Sequence, residues 1–217
     1  MKLKNNRIQI ACDGGGATGK STAAKLISKK YNLKFLSSGL LYRYASFLIL
    51  KNKPKNKISF LEKRFKKLNI KNLNRINLHS IEISEYSSMI AKNLKIRKIL
   101  KKFQINFSKN NNCCIEGRDI ATKILPHSDV KFFFKCSLDI ASKRRFKELK
   151  KFNPSLKLND VKKALKKRNI SDTNRKNSPL LKHRDSIVID TGKINKTAMV
   201  KKMSFYIEKV INQKYDK

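Results

Sequence analysis

The sequence predicts an α/β fold in which helices cover both faces of a parallel sheet. Short runs that are apolar throughout, such as "IQIAC" and "VKFFFKC", alternate with longer segments whose apolar residues have helical spacing. Strands buried on both faces have this apolar character, and alternation of strands with helices is typical of three-layer α/β/α architecture. The length of 217 residues suits one domain of ordinary size with a smaller appendage.

The strands and helices can be placed in order along the chain. Five strands are expected near residues 8–12, 33–39, 113–119, 130–136 and 186–190. Helices are expected at residues 21–31, 41–50, 87–107, 141–152, 160–168 and 197–211. The segment 87–107 is predicted to be one long amphipathic helix, because Met89, Leu94 and Phe103 can share one side of it.

Residues 51–87 are predicted to form a small insert. This segment is dense in Lys and Asn, contains Pro54, and has helical periodicity only near residues 61–68. The core of the fold would then comprise residues 1–50 and 88–217. Within that core, residues 171–180 are polar and rich in turn formers, so this segment is predicted to be mobile.

The charge is extreme but evenly spread. Lys and Arg total 53 against 15 Asp and Glu, which gives a formal net charge of +38. Of the 53, 42 are Lys scattered along the whole chain, a distribution that indicates a solvated surface, whereas a nucleic-acid site concentrates charge on one face with Arg prominent. Nucleic-acid binding is therefore disfavoured but stays an alternative, and a positive field favours phosphorylated small molecules.

Nothing in the sequence indicates a membrane or a secreted protein. The longest apolar candidate, residues 40–50, is too short for a transmembrane helix and contains Arg43, and the N-terminus lacks the pattern of a secretory signal. The four cysteines, Cys12, Cys113, Cys114 and Cys136, form no CxxC pair and sit in apolar runs. We expect buried, reduced thiols in a cytoplasmic protein that acts as a monomer.

The strongest motif is a glycine cluster. Four of the seven glycines fall within six residues, and "GGGATGKS" satisfies G-x-x-x-x-G-K-[ST] between a predicted strand and a predicted helix. In such a loop, successive backbone N–H groups curl around a phosphate and the helix N-terminus adds partial positive charge. The alternative is a glycine-rich turn without a ligand. The residues predicted to bind ATP here are Gly14, Gly15, Gly16, Ala17, Thr18, Gly19, Lys20, Ser21 and Thr22.

Two side chains of this loop have predicted chemical roles. Lys20 is expected to reach the β and γ phosphates, and the Ser21 hydroxyl is expected to be a ligand of Mg²⁺. A loop of this kind predicts a nucleotide as the phosphoryl donor but does not predict which molecule accepts the phosphoryl group.

Arginine marks the rest of the candidate site. It accounts for only 11 of 217 residues, yet every one of four further polar segments contains it: "SSGLLYR", "SSMIAKNLKIRK", "EGRD" and "RNISDTNR". The planar guanidinium binds a phosphate through two parallel hydrogen bonds, whereas Lys offers a point charge. In a lysine-rich chain, these arginines predict a second phosphorylated substrate.

These motifs, in this order, resemble the bacterial cytidylate kinases, and the likeness runs from "IACDGGGATGKST" to "VIDTG". The resemblance implies a P-loop kinase with a small monophosphate-binding insert and a mobile lid, here about residues 153–180. It further implies transfer of a phosphoryl group from ATP to CMP or dCMP, with Mg²⁺.

The resemblance also implies roles for particular residues. Arg43 and Arg97 would hold the acceptor phosphate, and Ser88, Arg118 and Asp119 would face the cytosine and the sugar. The implied acceptor site comprises Ser38, Tyr42, Arg43, Ser88, Arg97, Arg118 and Asp119. The implied catalytic residues, besides Lys20, belong to the lid: Arg168, Asp172 and Arg175. Arg144 would approach ATP, and Glu116 would help to hold Mg²⁺.

The sequence departs from the family pattern at four positions: Ser37 and Glu116, where Asp is usual, and Ser171 and Thr173, where further arginines are common. Activity is expected to survive these changes.

Other interpretations stay open for individual residues and for the acceptor. Arg97 could be a solvated charge on a basic helix, Tyr42 could be core packing, and Asp119 could be a helix N-cap. The acceptor could also be UMP or a shikimate-like compound.

Overall fold

A computed structural model of the chain describes residues 7–215, apart from the side chains at positions 74, 75, 81 and 215. The first six residues, on which part of the predicted core and of the N-terminal interpretation falls, lie outside the described range. The described residues divide into two compact units, one formed by residues up to Phe35 together with those from Asn111 onward, the other by Leu36–Asn110. The predicted boundaries of the insert, 51–87, stay a prediction.

Five strands form one sheet in the order β2-β3-β1-β4-β5. Strand β1 pairs in parallel with β3 and β4, and β4 pairs in parallel with β5. The strands are β1 (Gln9–Gly14), β2 (Lys34–Ser37), β3 (Cys113–Gly117), β4 (Val130–Lys135) and β5 (Ile187–Asp190). The predicted α/β class with a five-stranded parallel sheet is confirmed.

The central strands are apolar because both of their faces are covered. On one face Ile10, Phe132 and Phe134 pack into a core that includes Ile27 of the first helix and Met203 of the last. On the other face a π-helical turn, Ile120–Ile124, packs against β1 and β3. Continuous apolar runs are the sequence signature of this two-sided burial.

Eight α-helices lie within residues 7–215. They are α1 (Lys20–Lys30), α2 (Ser38–Asn52), α3 (Lys57–Lys66), α4 (Ile81–Ile90), α5 (Leu94–Lys109), α6 (Leu138–Lys150), α7 (Leu158–Asn174) and α8 (Lys196–Tyr215).

The predicted single helix at 87–107 is wrong. The chain breaks between α4 and α5, where Asn93 takes an extended backbone conformation and its side chain accepts a hydrogen bond from the N–H of Ile96. Asn is among the residues that most favour this N-cap position, and the amphipathic pattern on either side of it concealed the break.

The predicted polar, mobile segment 171–180 is partly wrong as well. Helix α7 continues through Asn174, and the N–H of Leu180 donates to the carbonyl of Asp172 at 2.8 Å, which folds the following residues back onto the end of the helix. The mobility of this segment stays a prediction.

The unit Leu36–Asn110 has its own apolar core. Leu41, Leu61 and Leu100 are fully buried in it, on three different helices. The ring of Phe65 meets those of Tyr44 and Phe103 edge to face, at centroid distances of 5.9 and 5.8 Å. This core fixes α2 and α5, the two helices that carry the predicted acceptor arginines.

Of the four cysteines, which are all free thiols, Cys12, Cys113 and Cys114 are buried as expected, whereas Cys136 is partly exposed. Among residues 7–215, no helix combines the length and the apolar character that a membrane span requires.

Candidate active site

The glycine-rich loop joins β1 to α1 and depends on glycine at defined positions. A Cβ on Gly14 would collide with the carbonyl oxygen of Phe134 in the neighbouring strand. Gly19, at the N-cap of α1, has φ +83°, a conformation that L side chains rarely adopt. A Cβ on Gly16 would come within 2.6 Å of Leu165 Cδ1 on α7. The glycines therefore let the sheet and α7 approach the loop closely.

Lys20 lies at the start of α1 with its side chain only 7% exposed. Its Nζ donates to the carbonyl of Gly15 at 3.0 Å and lies 3.8 Å from Glu116 Oε2. Burial, followed by the nearby charge of Arg118 and the weaker effect of Arg168, lowers the pKa of Lys20 from 10.5 to about 7. Arg118 and Arg168 thus lie within the electrostatic field of the loop lysine, as an anion-binding site requires.

The remaining loop side chains stabilise the turn or face outward. The Thr18 hydroxyl donates to the carbonyl of Gly15 at 3.1 Å, while Ser21 is half-buried and Thr22 is exposed on the first turn of α1. Glu116, at the end of β3, is buried and paired with Lys20. Hydroxyl and carboxylate oxygens are the ligands that Mg²⁺ prefers, so Ser21 and Glu116 fit this ion chemically.

Asp13 lies next to the candidate site, although the sequence did not single it out. It is fully buried at the end of β1, and its two carboxylate oxygens accept the N–H groups of Ile120 and Ala121 at 2.8 and 2.7 Å. Burial raises the pKa of Asp13 from 3.8 to about 7, against the lowering effect of these two N–H groups. Through these hydrogen bonds, Asp13 holds the segment that follows β3 close to the start of the phosphate loop. Arg118 and Asp119 belong to this segment.

Arg118 and the end of α7 form an ion-pair network. The Nε of Arg118 donates to Asp172 Oδ2 at 2.9 Å. Arg175 lies 3.5 Å from Asp172 Oδ1 through Nη1 and 3.9 Å from Asp119 Oδ1 through Nη2. The arginines, led by Arg118, lower the pKa of Asp172 although burial acts in the opposite direction. Four residues from two distant motifs therefore meet in one charged cluster.

The helix-cap interpretation of Asp119 is correct for its position in the chain but not for its side chain. Asp119 does precede the turn Ile120–Ile124, but its side chain makes no capping hydrogen bond there. Its carboxylate is buried and faces Arg175 instead.

Arg144 is on the phosphate loop side of α6, held by a residue that the sequence reasoning did not single out. Two of its nitrogens donate to Thr191, one to the hydroxyl and one to the carbonyl, both at 2.8 Å. The Thr191 hydroxyl in turn donates to the carbonyl of Thr18 at 2.8 Å. A Cβ on Gly19 would lie 3.7 Å from the Arg144 guanidinium. Thr191 thus connects Arg144 to the loop.

In the unit Leu36–Asn110, the two predicted arginines are both buried. Arg43 donates from Nη1 to the carbonyl of Leu78 at 2.9 Å and to the Ser84 hydroxyl at 2.8 Å. Arg97 donates to the carbonyl of Ala91 at 3.1 Å, and its guanidinium lies 5.7 Å from the centroid of the Tyr42 ring. Arg97 is 8% exposed, so its interpretation as a solvated surface charge is wrong.

Three further predicted residues of this unit lie on α2 and α4. Tyr42 is half-buried and places its ring against Arg97, which is a polar role in addition to packing. Ser88 is exposed on α4 and donates to the carbonyl of Ser84, the residue that also binds Arg43. Ser38 is buried in the first turn of α2, next to Ser37, whose side chain caps that helix.

Comparison with known proteins agrees with these motifs. A sequence profile described as cytidylate kinase matches residues 10–209. The cytidylate kinase of Clostridium botulinum strain Hall is 36% identical over 214 residues, which cover 93% of this chain and 98% of that one. That of Clostridium tetani is 34% identical over 218 residues, covering 94% and 96%.

The fold is also found among solved structures. A shikimate kinase from Bacteroides thetaiotaomicron superimposes with a TM-score of 0.53 at 12% identity, covering 93% of this chain and 98% of that one. At this identity the likeness concerns the fold alone. The sequence profile and the two close relatives carry the assignment: the chain belongs to the cytidylate kinase family.

Proposed function

We propose that the protein transfers the γ-phosphoryl group of ATP to CMP or dCMP, giving ADP and CDP or dCDP. The observation that carries this proposal is the buried Lys20 on the phosphate loop, whose Nζ lies 3.0 Å from the carbonyl oxygen of Gly15 and 3.8 Å from Glu116 Oε2, with Arg118 and Arg168 close enough to act on its charge. Cations packed together in this way are stabilised by anionic ligands, and family membership supports nucleotides as those ligands.

The donor half of the site is the phosphate loop. Backbone N–H groups of the loop, other than that of Gly16, which donates to Asn169, would surround the phosphates of ATP, with Lys20 against the β and γ phosphates. Arg144 is supported as a donor-side residue by its two hydrogen bonds to Thr191, which bring its guanidinium beside Gly19.

The seven residues that the family resemblance implies for the acceptor have proposed roles in binding it. Arg43 and Arg97 would bind its phosphate, and their burial supports this because a buried guanidinium has little water to displace. The proposed residues for the rest of the nucleotide are Ser38, Tyr42, Ser88, Arg118 and Asp119.

The chemistry requires positioning and charge neutralisation. A phosphate oxygen of CMP attacks the γ phosphorus of ATP in line, and the bond from that phosphorus to the oxygen of the departing ADP breaks. Lys20, Arg168 and Arg175 offset the negative charge spread over the transferring group. No protein nucleophile takes part, and the ion pairs of Asp172 hold Arg118 and Arg175 in place.

Magnesium is the cofactor that the site would accept. Ser21 would supply a hydroxyl ligand, and the carboxylate of Glu116 would hold the ion or its water shell. When bound, Mg²⁺ would supply positive charge that offsets part of the negative charge of the ATP phosphates. Glu116 retains the negative charge of the usual Asp but carries it one methylene further from the backbone.

A coupled assay of ADP formation tests the proposal. Purified protein, ATP and Mg²⁺ are combined with CMP, dCMP, UMP or shikimate. We expect CMP and dCMP to support ADP formation and the other two to compete poorly with them. ADP formation that requires UMP or shikimate, and is unaffected by CMP, would show that the proposed acceptor is wrong.

A further inference from the structure

Helix α7 places a carboxamide directly on the phosphate loop. Asn169, half-buried, accepts a hydrogen bond from the N–H of Gly16 through Oδ1 at 3.2 Å. An ideal Cβ on Gly15 would lie 3.4 Å from Oδ1 and 3.6 Å from Nδ2 of the same side chain. Leu165, one turn earlier, packs against Gly16. The amide therefore faces the first half of the loop, where backbone N–H groups are arranged for an anion.

Only one end of this amide has a partner among residues 7–215. Oδ1 accepts from Gly16, whereas Nδ2 donates to no group there. An amide carries two N–H donors in addition to its acceptor oxygen, so it can bind the loop and still donate elsewhere. A phosphate bound by the loop would offer the nearest acceptor oxygens for these N–H groups.

We propose that Asn169 is a further phosphate-binding residue for the donor nucleotide, with Oδ1 seating α7 on Gly16 and Nδ2 donating to a phosphate oxygen of ATP. This inference rests on the proposed function, since it requires ATP in the loop. It adds a neutral hydrogen-bond donor to the cations that already surround the site.

The chemistry of the neighbourhood favours an amide at this position. A carboxylate would repel the phosphates, and a further cation would add to the charges of Lys20, Arg118 and Arg168 before any ligand binds. One turn beyond Asn169 on α7, Asp172 binds Arg118 at 2.9 Å. The same helix thus contacts the donor loop through Asn169 and a proposed acceptor residue through Asp172.

Three variants test the proposal. Asn169→Leu removes both polar ends at similar volume, Asn169→Asp keeps the shape and adds a negative charge, and Asn174→Asp, at the exposed end of α7, is the matched charge control. Affinity for a non-hydrolysable ATP analogue with Mg²⁺ is measured by calorimetry, without CMP, at low and high ionic strength. Thermal unfolding shows whether each variant is folded, and Asn169→Ser, whose hydroxyl is too short to reach the phosphate, replaces Asn169→Leu if that variant is not.

We expect Asn169→Leu to weaken binding of the analogue about tenfold at either ionic strength, as the loss of a hydrogen bond to a charged group does. Asn169→Asp should bind more weakly still at low ionic strength, with the extra deficit shrinking as salt screens the repulsion. The KM for CMP should change less than the affinity for the analogue in both, because neither variant replaces a residue proposed to bind CMP. Asn174→Asp should bind the analogue like the wild type.

Affinity of Asn169→Leu and Asn169→Asp equal to that of the wild type would overturn the proposal. So would equal losses in both variants at every ionic strength, because a purely structural contact has no charge dependence. Wild-type ADP formation with CMP is measured separately. If CMP fails as the acceptor while the Asn169 variants still lose affinity for the analogue, the proposed acceptor is wrong and the role of Asn169 stands.

Discussion

Lys20 is buried next to other cations, so its ammonium group costs folding energy that ligand binding recovers. Replacing it with Met keeps the aliphatic chain and removes the charge. We expect Lys20→Met to reduce kcat about 100- to 1000-fold, the usual effect of removing one group that stabilises a transition-state anion. Stability should change little, because the desolvation cost of the ammonium group disappears while the buried carboxylate of Glu116 loses its ion-pair partner.

The measurements for this variant are ADP formation with ATP and CMP, and thermal unfolding. Lys29→Met, an exposed lysine on the same helix, is the control and should have wild-type activity. If Lys20→Met retained full activity, the proposed role of the phosphate loop in phosphoryl transfer would be wrong.

Asp13 makes stability depend on pH in a predictable direction. Its folded pKa of about 7 exceeds the unfolded value of 3.8, so near pH 6 the folded state holds a proton that the unfolded chain has lost. The stabilisation is complete below the unfolded pKa and disappears as the pH rises through 7. In Asp13→Asn, the pH-dependent contribution is absent.

The free energy of unfolding of the wild type, minus that of Asp13→Asn, should therefore fall by about 2 kcal/mol between about pH 5.5 and about pH 8. Urea titrations of both proteins at the two pH values measure it. A difference that stays constant across this range would mean that Asp13 is ionised throughout.

The residues that the sequence predicted and those that it missed differ in how far away their partners lie. The phosphate loop is a contiguous motif, so its eight residues could be predicted from local spacing. Asp13 accepts from the N–H of a residue 107 positions away, and Asn169 accepts from an N–H 153 positions away. The Thr191 hydroxyl donates to a carbonyl 173 positions away. Such pairings arise only when the fold brings separate strands and helices together.

At the scale of the elements, the break between α4 and α5 depends on a single cap. Both flanking segments have apolar residues at helical spacing, so periodicity alone favoured one continuous helix, and Asn93 was the one local signal against it. Replacing this cap by Ala should cost about 1 kcal/mol of stability. Asn93→Asp keeps an acceptor and should cost much less.

Urea unfolding of Asn93→Ala and Asn93→Asp tests this. Because Arg97 lies in the first turn of α5, we also expect a higher KM for CMP in Asn93→Ala. Equal stability of the two variants would show that the backbone, without the cap, determines where α4 ends.

The segment after β5 links three elements through one hydroxyl. Thr191 accepts from Arg144 on α6 and donates to Thr18 in the loop. Thr191→Val keeps the volume but removes the hydroxyl, so Arg144 loses an acceptor and the carbonyl of Thr18 loses a donor. We expect a loss of about 2 kcal/mol in stability, typical of a buried hydrogen bond left unmade, and an increase of about fivefold in the KM for ATP.

Thr191→Ser retains the hydroxyl and is the matched control, expected to behave like the wild type in both assays. The KM for CMP should change little in either variant. An unchanged KM for ATP in Thr191→Val would show that the contact between Thr191 and Arg144 does not contribute to ATP binding.

At the scale of the whole molecule, two kinds of information in the sequence predicted different things. Periodicity of apolar residues predicted the α/β class and all five strands, because two-sided burial determines strand composition directly. Ordered motifs predicted the family, which the comparisons confirm. Neither kind predicted that the compact unit containing α2 begins as early as Leu36, since that depends on how α2, α3, α4 and α5 pack together.

The net charge of +38 predicts an unusual dependence on salt. With 53 basic and 15 acidic residues, most charged pairs repel one another, and only a minority of lysines have an acidic partner to lose when salt screens them. Salt should therefore stabilise the fold.

Raising potassium chloride from about 50 mM to about 500 mM shortens the screening length from about 14 Å to about 4 Å. We expect the unfolding temperature to rise by at least about 3 °C, which corresponds to roughly 1 kcal/mol for a chain of this size. Thermal melts in potassium chloride, with an equal osmolality of sucrose as the uncharged control, measure the effect. A melting temperature that falls with potassium chloride would mean that local ion pairs such as Arg118 with Asp172 outweigh the general repulsion.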